Sequence, residues 1–110
     1  METRVVLITA PAGEVAQGIA RVLVEDRLAA CVNRVPGVSS TYRWKGEVVE
    51  DAEDLLILKT TQDRLEALLA RVREIHPYTV PEVLALEVAA GATSYLDWVM
   101  AETRPSSRNP

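Results

Sequence analysis

The fold is decided by residues 38–60, VSSTYRWKGEVVEDAEDLLILKT. Its first part alternates, with Ser40, Tyr42 and Trp44 on one side of an extended chain and the residues between them on the other. Residues 45–47 then predict the turn of a hairpin. The return half ends in residues 55–58, which are apolar at every position and therefore indicate a strand buried on both faces. Such a hairpin is too long for the helices of a small domain to cover, so Tyr42 and Trp44 need a partner surface.

The segments around this hairpin complete an α+β pattern. Apolar spacing predicts strands and amphipathic helices in the order strand, helix, strand, strand, helix, strand, followed by a short helix. This order is typical of a ferredoxin-like βαββαβ sandwich, an antiparallel four-stranded sheet with two helices on one face, here with an extra C-terminal helix. The other sheet face is too apolar to meet water, so we expect self-association. The predicted elements are strands at 4–9, 28–35, 38–44 and 83–88, a return strand over 48–60, and helices at 14–27, 61–76 and 93–100.

The composition limits the chain to a few classes of protein. Its 110 residues are 48% hydrophobic and 25% charged, which suits one globular domain, placed at 1–103, with a flexible C-terminal tail at 104–110. A net charge of −4 with scattered basic residues argues against a nucleic-acid partner. Without an apolar run of about 18 residues, we expect no membrane partner. Cys31 is the only cysteine, and a single thiol suits the cytoplasm, which is the predicted localisation.

Few residues in the chain have catalytic or metal-binding chemistry. Cys31 reads either as a small buried hydrophobe within its strand or as a thiolate ligand for a soft metal. His76 either caps the end of the second helix or acts as a metal ligand or an acid–base group, with Glu82 six residues downstream. Four carboxylates at 50–54 are interpreted as a solvated bulge in the return strand, with weak binding of a hard cation as the alternative. No catalytic motif spacing is present, so we expect no enzyme.

Several short strings in this sequence resemble the CutA family, in the same order along the chain. The resemblance runs from about Val5 to Glu102. It implies a ferredoxin-like fold similar to that of the PII signalling proteins, assembled as a homotrimer in which the long hairpin pairs with strands of a neighbouring subunit. The strings are LAACVN at 28–33, PG at 36–37, YRWKG at 42–46, LKT at 58–60, HPY at 76–78, VPE at 80–82 and YLDW at 95–98.

The resemblance also implies a ligand, copper or another divalent cation, that is not required for folding. The family's proposed metal positions are a cysteine in the first strand and paired histidines at the His-Pro-Tyr motif. Here Ile8 and Ile75 occupy two of those positions, and isoleucine cannot ligate a metal, so only His76 remains. Cys31 matches the cysteine of the Ala-Ala-Cys string, to which the resemblance assigns a structural role.

Two functions are consistent with these residues. The first is a homotrimeric metal-binding protein of cation homeostasis that uses His76, Glu82 and Cys31, with neighbouring subunits completing the coordination sphere. The second is a PII-like signalling or interaction trimer whose intersubunit cleft holds a small anionic metabolite near Lys59, Tyr78 and Arg43. An enzyme that uses His76 as a general base lacks a visible nucleophile or second titrating partner.

Overall fold

The computed structural model describes residues 2–105, and its elements follow the predicted order. Residues 106–110 of the predicted C-terminal tail lie outside the described part. The α+β, ferredoxin-like prediction is confirmed: four antiparallel strands form one sheet in the order β2-β3-β1-β4. The elements are β1 Thr3–Pro11, α1 Glu14–Glu25, β2 Cys31–Trp44, β3 Glu47–Thr61, a 3₁₀ turn Gln62–Arg64, α2 Leu65–Ile75, β4 Val83–Glu87 and α3 Thr93–Glu102.

The core lies between one face of the sheet and the first two helices. Even-numbered residues of β1 and β3 point toward the helices, because side chains alternate along a strand and the two strands pair in register, Ile8 opposite Leu56 and Val6 opposite Leu58. These four side chains are all completely buried. The helices meet them with an apolar stripe of fully or nearly fully buried residues, which are Ala16, Ile19, Leu23, Leu68 and Val72.

The opposite sheet face, called the open face below, has no such cover over most of its length. It consists of the odd-numbered positions of β1 and β3 and their partners on β2 and β4. Leu7 pairs with Ile57 on one side and with Leu84 on the other. Leu84 and Leu86 on β4 are 55% and 48% exposed. The predicted apolar second face is therefore present in this chain.

The third helix packs at one end of β3 and β1. The Thr103 hydroxyl, just beyond α3, lies 3.4 Å from the Thr61 hydroxyl at the end of β3. Val99 of α3 is completely buried and Thr61 is 2% exposed. The extra helix thus closes one end of the sheet and leaves the side chains of β4 open. Among residues 2–105, the helices are all too short or too polar to cross a membrane.

The segment predicted as two strands with a bend between them is one strand. β2 runs through Pro36 and Gly37 as a bulge, with Val35 opposite Leu55 and Val38 opposite Glu53, so one extra residue is inserted. Gly37 has a positive φ of 78°, which glycine adopts without steric cost. The strand begins later than predicted, at Cys31, because the backbone N–H groups of residues 28 and 29 donate to the Leu23 carbonyl at the end of α1.

The hairpin between β2 and β3 projects from the body of the domain. Lys45 and Gly46 form its two-residue turn, and both have positive φ, 51° and 83°, as a type I′ turn requires. The molecule extends 45 × 33 × 22 Å.

The predicted solvated bulge at 50–54 is wrong, because β3 pairs continuously from Glu47 to Thr61. In addition, Glu53 and Asp54 are only 5% and 1% exposed. The bulge is on β2, where proline removes a ladder donor.

Candidate functional site

A cleft of about 660 Å³ opens where the hairpin leaves the sheet. Its floor is the end of β1 and the adjoining part of β3, one wall is the hairpin, and the other is the segment between α2 and β4. Aromatic rings and carboxylates meet in this cleft. The residues that define it are Thr9, Tyr42, Trp44, Glu53, Tyr78 and Glu82.

His76 anchors the segment that forms the outer wall. Pro77 ends α2 at this position, and the His76 backbone is extended. The Tyr78 backbone N–H donates to His76 Nδ1 at 3.1 Å, and His76 Nε2 lies 2.8 Å from the Thr9 carbonyl oxygen. Since a backbone N–H only donates, Nδ1 is the acceptor and Nε2 carries the proton that it donates to Thr9. Both ring nitrogens are therefore engaged in hydrogen bonds within the fold.

Tyr78 links this wall to the sheet. Its ring lies 4.6 Å from the His76 ring, centroid to centroid, and its hydroxyl donates to Glu53 Oε2 at 2.7 Å. Burial, and then the hydrogen bond to the Glu53 carboxylate, raise the pKa of Tyr78 far above its ordinary value of 10.0. Tyr78 consequently stays a neutral hydrogen-bond donor, and Glu53 is fixed with one oxygen toward it.

The base of the hairpin is fixed by Asp54, which faces the helices. Its Oδ2 accepts from the Gly13 N–H at 2.9 Å and from the Arg34 guanidinium at 2.8 Å. The backbone hydrogen bond from Gly13, then the Arg34 hydrogen bond, lower the pKa of Asp54, and the Gly37 N–H at the bulge acts in the same direction. This carboxylate therefore joins the start of α1, the bulge of β2 and β3 at the base of the hairpin.

The hairpin wall of the cleft carries two aromatic side chains on one face. Tyr42 and Trp44 are 40% and 44% exposed. The Tyr42 hydroxyl donates to Asp51, which raises the pKa of Tyr42. Beyond the cleft, the Lys45 ammonium lies 5.9 Å from the centroid of the Trp44 ring, a cation–π distance. These rings were predicted as packing groups that seek a partner surface, and in this chain they line a cleft.

The predicted metal ligands are not brought together in one chain. His76 and Glu82 both belong to the segment that bounds the cleft, and Glu82 is exposed. Cys31 is half-buried at the first position of β2, opposite Lys59, whereas the Thr9 partner of His76 lies opposite Leu55. Four residues of strand separate those positions, about 13 Å. Within residues 2–105 there is no group of three His, Cys, Asp or Glu side chains that could hold a metal ion, so this subunit alone does not fit copper.

Two apolar residues stand where the family's other proposed ligands would be, and both serve packing. Ile8 is completely buried in the core. Ile75 is partly buried and packs against that core at the end of α2. Neither position offers a lone pair to a metal ion.

The residues of the predicted anion site are also far apart. Tyr78 lies in the cleft, but Lys59 reaches Asn33 near the other end of the sheet, and Arg43 lies near the hairpin turn, 3.4 Å from the Gly46 carbonyl. Arg43 pairs opposite Val48, eleven residues along β3 from Lys59, or about 36 Å. One subunit cannot gather these two cations around a single small ligand.

Glu53 is the site residue that the sequence reasoning missed. It was assigned to a solvated acidic stretch, and nothing local in the sequence distinguishes it from Glu50 or Asp51. Its burial depends on Tyr78, twenty-five residues away, which closes over it. A continuous strand from 47 to 61 would have placed Glu53 on the same face as Leu55, and this alternation is the one signal that pointed to it.

Comparison with known proteins assigns the chain to a family. Residues 4–102 match the family model for the CutA1 divalent ion tolerance protein. The divalent-cation tolerance protein CutA of Thermus thermophilus is 60% identical over 99 residues, 90% of this chain and 96% of that protein. Human protein CutA is 48% identical over 100 residues, 91% of this chain but 56% of its own length. The chain thus spans just over half of the human relative.

Solved structures show the same fold. The divalent cation tolerance protein from Thermus thermophilus superposes with a TM-score of 0.90 at 58% identity, covering 93% of this chain and 99% of that one. CutA1 from Oryza sativa gives a TM-score of 0.92 at 44% identity, with 96% and 97% covered. A protein described as the PII-like protein CutA, from Nostoc sp. PCC 7120 in apo form, gives 0.87 at 41% identity, with 94% and 99% covered. A ferredoxin-like sheet with a projecting hairpin, a family match over residues 4–102 and these relatives together establish that the chain belongs to the CutA1 divalent ion tolerance family.

Proposed function

We propose that this chain acts in divalent-cation tolerance and that it does so as a homotrimer. Family membership supports the cation-tolerance part, since the Thermus relative carries that name. The observation that carries the assembly part is the open face, on which Leu84 and Leu86 are about half exposed beside half-buried Leu7 and Ile57. An apolar sheet face of this kind is stabilised when another subunit buries it. The choice of three subunits rests on the resemblance to the CutA family.

The assembly is tested by sedimentation velocity on the wild-type protein at low micromolar concentration. A trimer of the 12.1 kDa chain sediments at about 36 kDa, three times the chain mass. A stable, folded single chain under these conditions contradicts the proposal. A dimer contradicts the stoichiometry but leaves the open face as the interface.

Copper or another divalent cation stays the predicted ligand, with His76, Glu82 and Cys31 as the candidate residues. The side chains of one subunit, over residues 2–105, do not form a coordination sphere, and both nitrogens of His76 are engaged in the fold. The prediction therefore requires ligands from neighbouring subunits. It also requires His76 to give up one of its two hydrogen bonds.

Calorimetric titration with copper and zinc tests this prediction on wild type, His76→Ala and Glu82→Gln. The second variant is needed because His76→Ala also removes two hydrogen bonds that anchor the cleft wall, whereas Glu82 is exposed and makes a clean comparison. Binding that weakens in both variants supports the metal site. Equally weak millimolar binding in all three proteins removes it.

A PII-like signalling trimer that binds a small anionic metabolite is the second candidate function. The Nostoc relative described as PII-like supports it. Lys59 and Arg43 are about 36 Å apart along β3, so different subunits would have to supply them. A thermal-shift screen against nucleotides and organic acids, repeated with Lys59→Ala, tests this candidate. An upward shift that persists unchanged in the variant removes Lys59 from the site.

The remaining predictions concern reaction chemistry and location. We propose a non-enzymatic role, for which the family's description as tolerance proteins gives support. We also propose the cytoplasm as the compartment, on the basis of the single thiol. A relative from Archaeoglobus fulgidus is described as periplasmic, so cell fractionation with an antibody against the chain is the deciding measurement.

A further inference from the structure

One cation interrupts the apolar open face. Lys59 is at an odd-numbered position of the central strand β3, opposite Cys31 on one side and Val5 on the other. Its further neighbours are apolar, with Ile57 next along the same face of β3 and Leu86 beyond Val5 on β4. Among the strand residues that make up this face, all within the described part of the chain, Lys59 is the one basic side chain. Burial of the open face therefore also buries an ammonium group.

This ammonium group is only partly satisfied within one subunit. Lys59 is half-buried, and its Nζ donates to Asn33 Oδ1 on the edge strand β2. An ammonium group has three N–H donors, and the Asn33 side chain accepts one of them. Among residues 2–105, no carboxylate lies within ion-pair distance of Nζ. The described part of the subunit thus gives this charge no anionic partner.

Assembly through the open face changes what this charge costs. In a single subunit, water solvates the remaining N–H groups, whereas a covering subunit removes that water. A buried charge without a partner opposes association, and a carboxylate supplied by the other subunit offsets the cost. The chain has 16 acidic and 12 basic residues, and the projecting hairpin carries exposed carboxylates at 47, 50 and 51. A second copy of the chain therefore has carboxylates to offer.

We propose that Lys59 pairs with a carboxylate of a neighbouring subunit and that this pair determines how the subunits fit together. The proposal rests on the assembly proposed above and adds the residue that selects among its arrangements. Apolar contact is non-directional, so the face alone permits several arrangements, but those that bury the ammonium without an acceptor are disfavoured. A lysine engaged in this way is not free to hold a small anionic metabolite, which argues against Lys59 in the second candidate function.

Zero-length crosslinking tests the contact directly. A carbodiimide joins a lysine amine to a carboxylate where the two groups touch, forming an amide with loss of water. Lys45 and Lys59 are the two lysines of the chain, so the mass of a linked peptide identifies its lysine. In assemblies formed from isotope-labelled and unlabelled chains, we expect Lys59 to be linked to a carboxylate peptide of the other label. Links from Lys45 or the N-terminus alone, or Lys59 links only within one label, overturn the proposal.

The sign of one substitution distinguishes a paired lysine from an unpaired one. Lys59→Met keeps the approximate length of the side chain and removes its charge. If the ammonium is paired, the substitution leaves the neighbour's carboxylate without a partner, and we expect the half-dissociation concentration to rise about ten-fold or more. If it is unpaired, methionine suits the apolar face better and the same concentration falls. A fall or no change, measured by sedimentation velocity over a dilution series, overturns the proposal.

Two further variants control this measurement. Lys59→Arg keeps the positive charge and is expected to assemble more like wild type than Lys59→Met does, while the crosslink at this position disappears because a guanidinium does not react. Arg73→Met removes a cation from an exposed position of α2 and is expected to dissociate like wild type. Equal shifts in Lys59→Met and Arg73→Met overturn the assignment to Lys59. Circular dichroism shows whether each variant is folded, and the crosslink in the wild-type protein does not depend on them.

The outcomes separate this inference from the assembly on which it rests. A wild-type protein that sediments as a stable single chain removes both. An assembled wild-type protein in which Lys59 forms no link between subunits removes the pair alone and leaves the open face as the interface.

Discussion

Replacing Leu84 by lysine is expected to break the proposed trimer while the subunit stays folded. Leu84 lies opposite Leu7 on the open face and is 55% exposed. Full burial of a leucine is worth about 1.5–3 kcal/mol, so burying the exposed half contributes about 1 kcal/mol per subunit. A lysine ammonium held against the same apolar surface without a partner costs about 2 kcal/mol more. The substitution therefore costs about 3 kcal/mol per subunit.

Three subunits bring this to about 9 kcal/mol per trimer, which raises the dissociation constant about a million-fold. Because that constant scales with the square of the protein concentration, the concentration at which half of the trimer dissociates rises about a thousand-fold. Sedimentation velocity over a dilution series measures this midpoint, and circular dichroism shows that the variant remains folded.

Leu69→Lys is the matched control, since Leu69 is 38% exposed on α2, away from the open face. It undergoes the same chemical change and is expected to leave the midpoint where it is in wild type. An unchanged midpoint in Leu84→Lys, or an equal shift in Leu69→Lys, refutes the assignment of the open face as the interface.

Three further predictions concern the subunit itself. Leu58→Ala, in a completely buried position, is expected to cost about 3 kcal/mol in urea unfolding; a loss below about 1 kcal/mol contradicts the packing described. The lowered pKa of Asp54 contributes stability above the unfolded-state pKa near 4, and this stability is lost as pH falls through the folded-state value. Melts of Asp54→Asn at neutral and acid pH are therefore expected to show lower stability at pH 7 and a flatter pH dependence than wild type. An unchanged pH profile contradicts this. The raised pKa of Tyr78 contributes stability that is present below pH 10 and lost above it; Tyr78→Phe is expected to flatten that alkaline loss, and alkaline melts with the same slope in both proteins count against it.

Much of the fold could be predicted because its signals are local. The spacing of Ile19 and Leu23 on α1, the Pro77 stop after α2 and the turn predicted at 45–47 each reflect a physical rule that acts within a few residues. The predicted start of β2 was three residues early, because the backbone N–H groups of residues 28 and 29 donate to the Leu23 carbonyl at the end of α1 instead of pairing in the sheet. That competition is decided by tertiary geometry.

The candidate site was predicted only in part. His76 was singled out from its residue type and the stiff loop after it. The structure buries it beside the cleft, where it anchors the segment that forms one wall and has both nitrogens occupied. Glu53 was missed because its environment is made by Tyr78, which is distant in sequence. Cys31 and His76 were grouped by their chemistry, but the register of β1, β2 and β3 separates them.

The sequence by itself determined the order of elements, the two-sided apolar character of the sheet and the residues that resemble the CutA family, because hydrophobic periodicity and turn chemistry are written in neighbouring residues. Only the tertiary structure decided which carboxylates are buried. Asp54 and Glu53 are adjacent in the chain, yet strand alternation turns one toward Gly13 and Arg34 and the other toward Tyr78. Such partners are fixed by strand pairing and by where a loop returns to the sheet, which are properties of the whole fold.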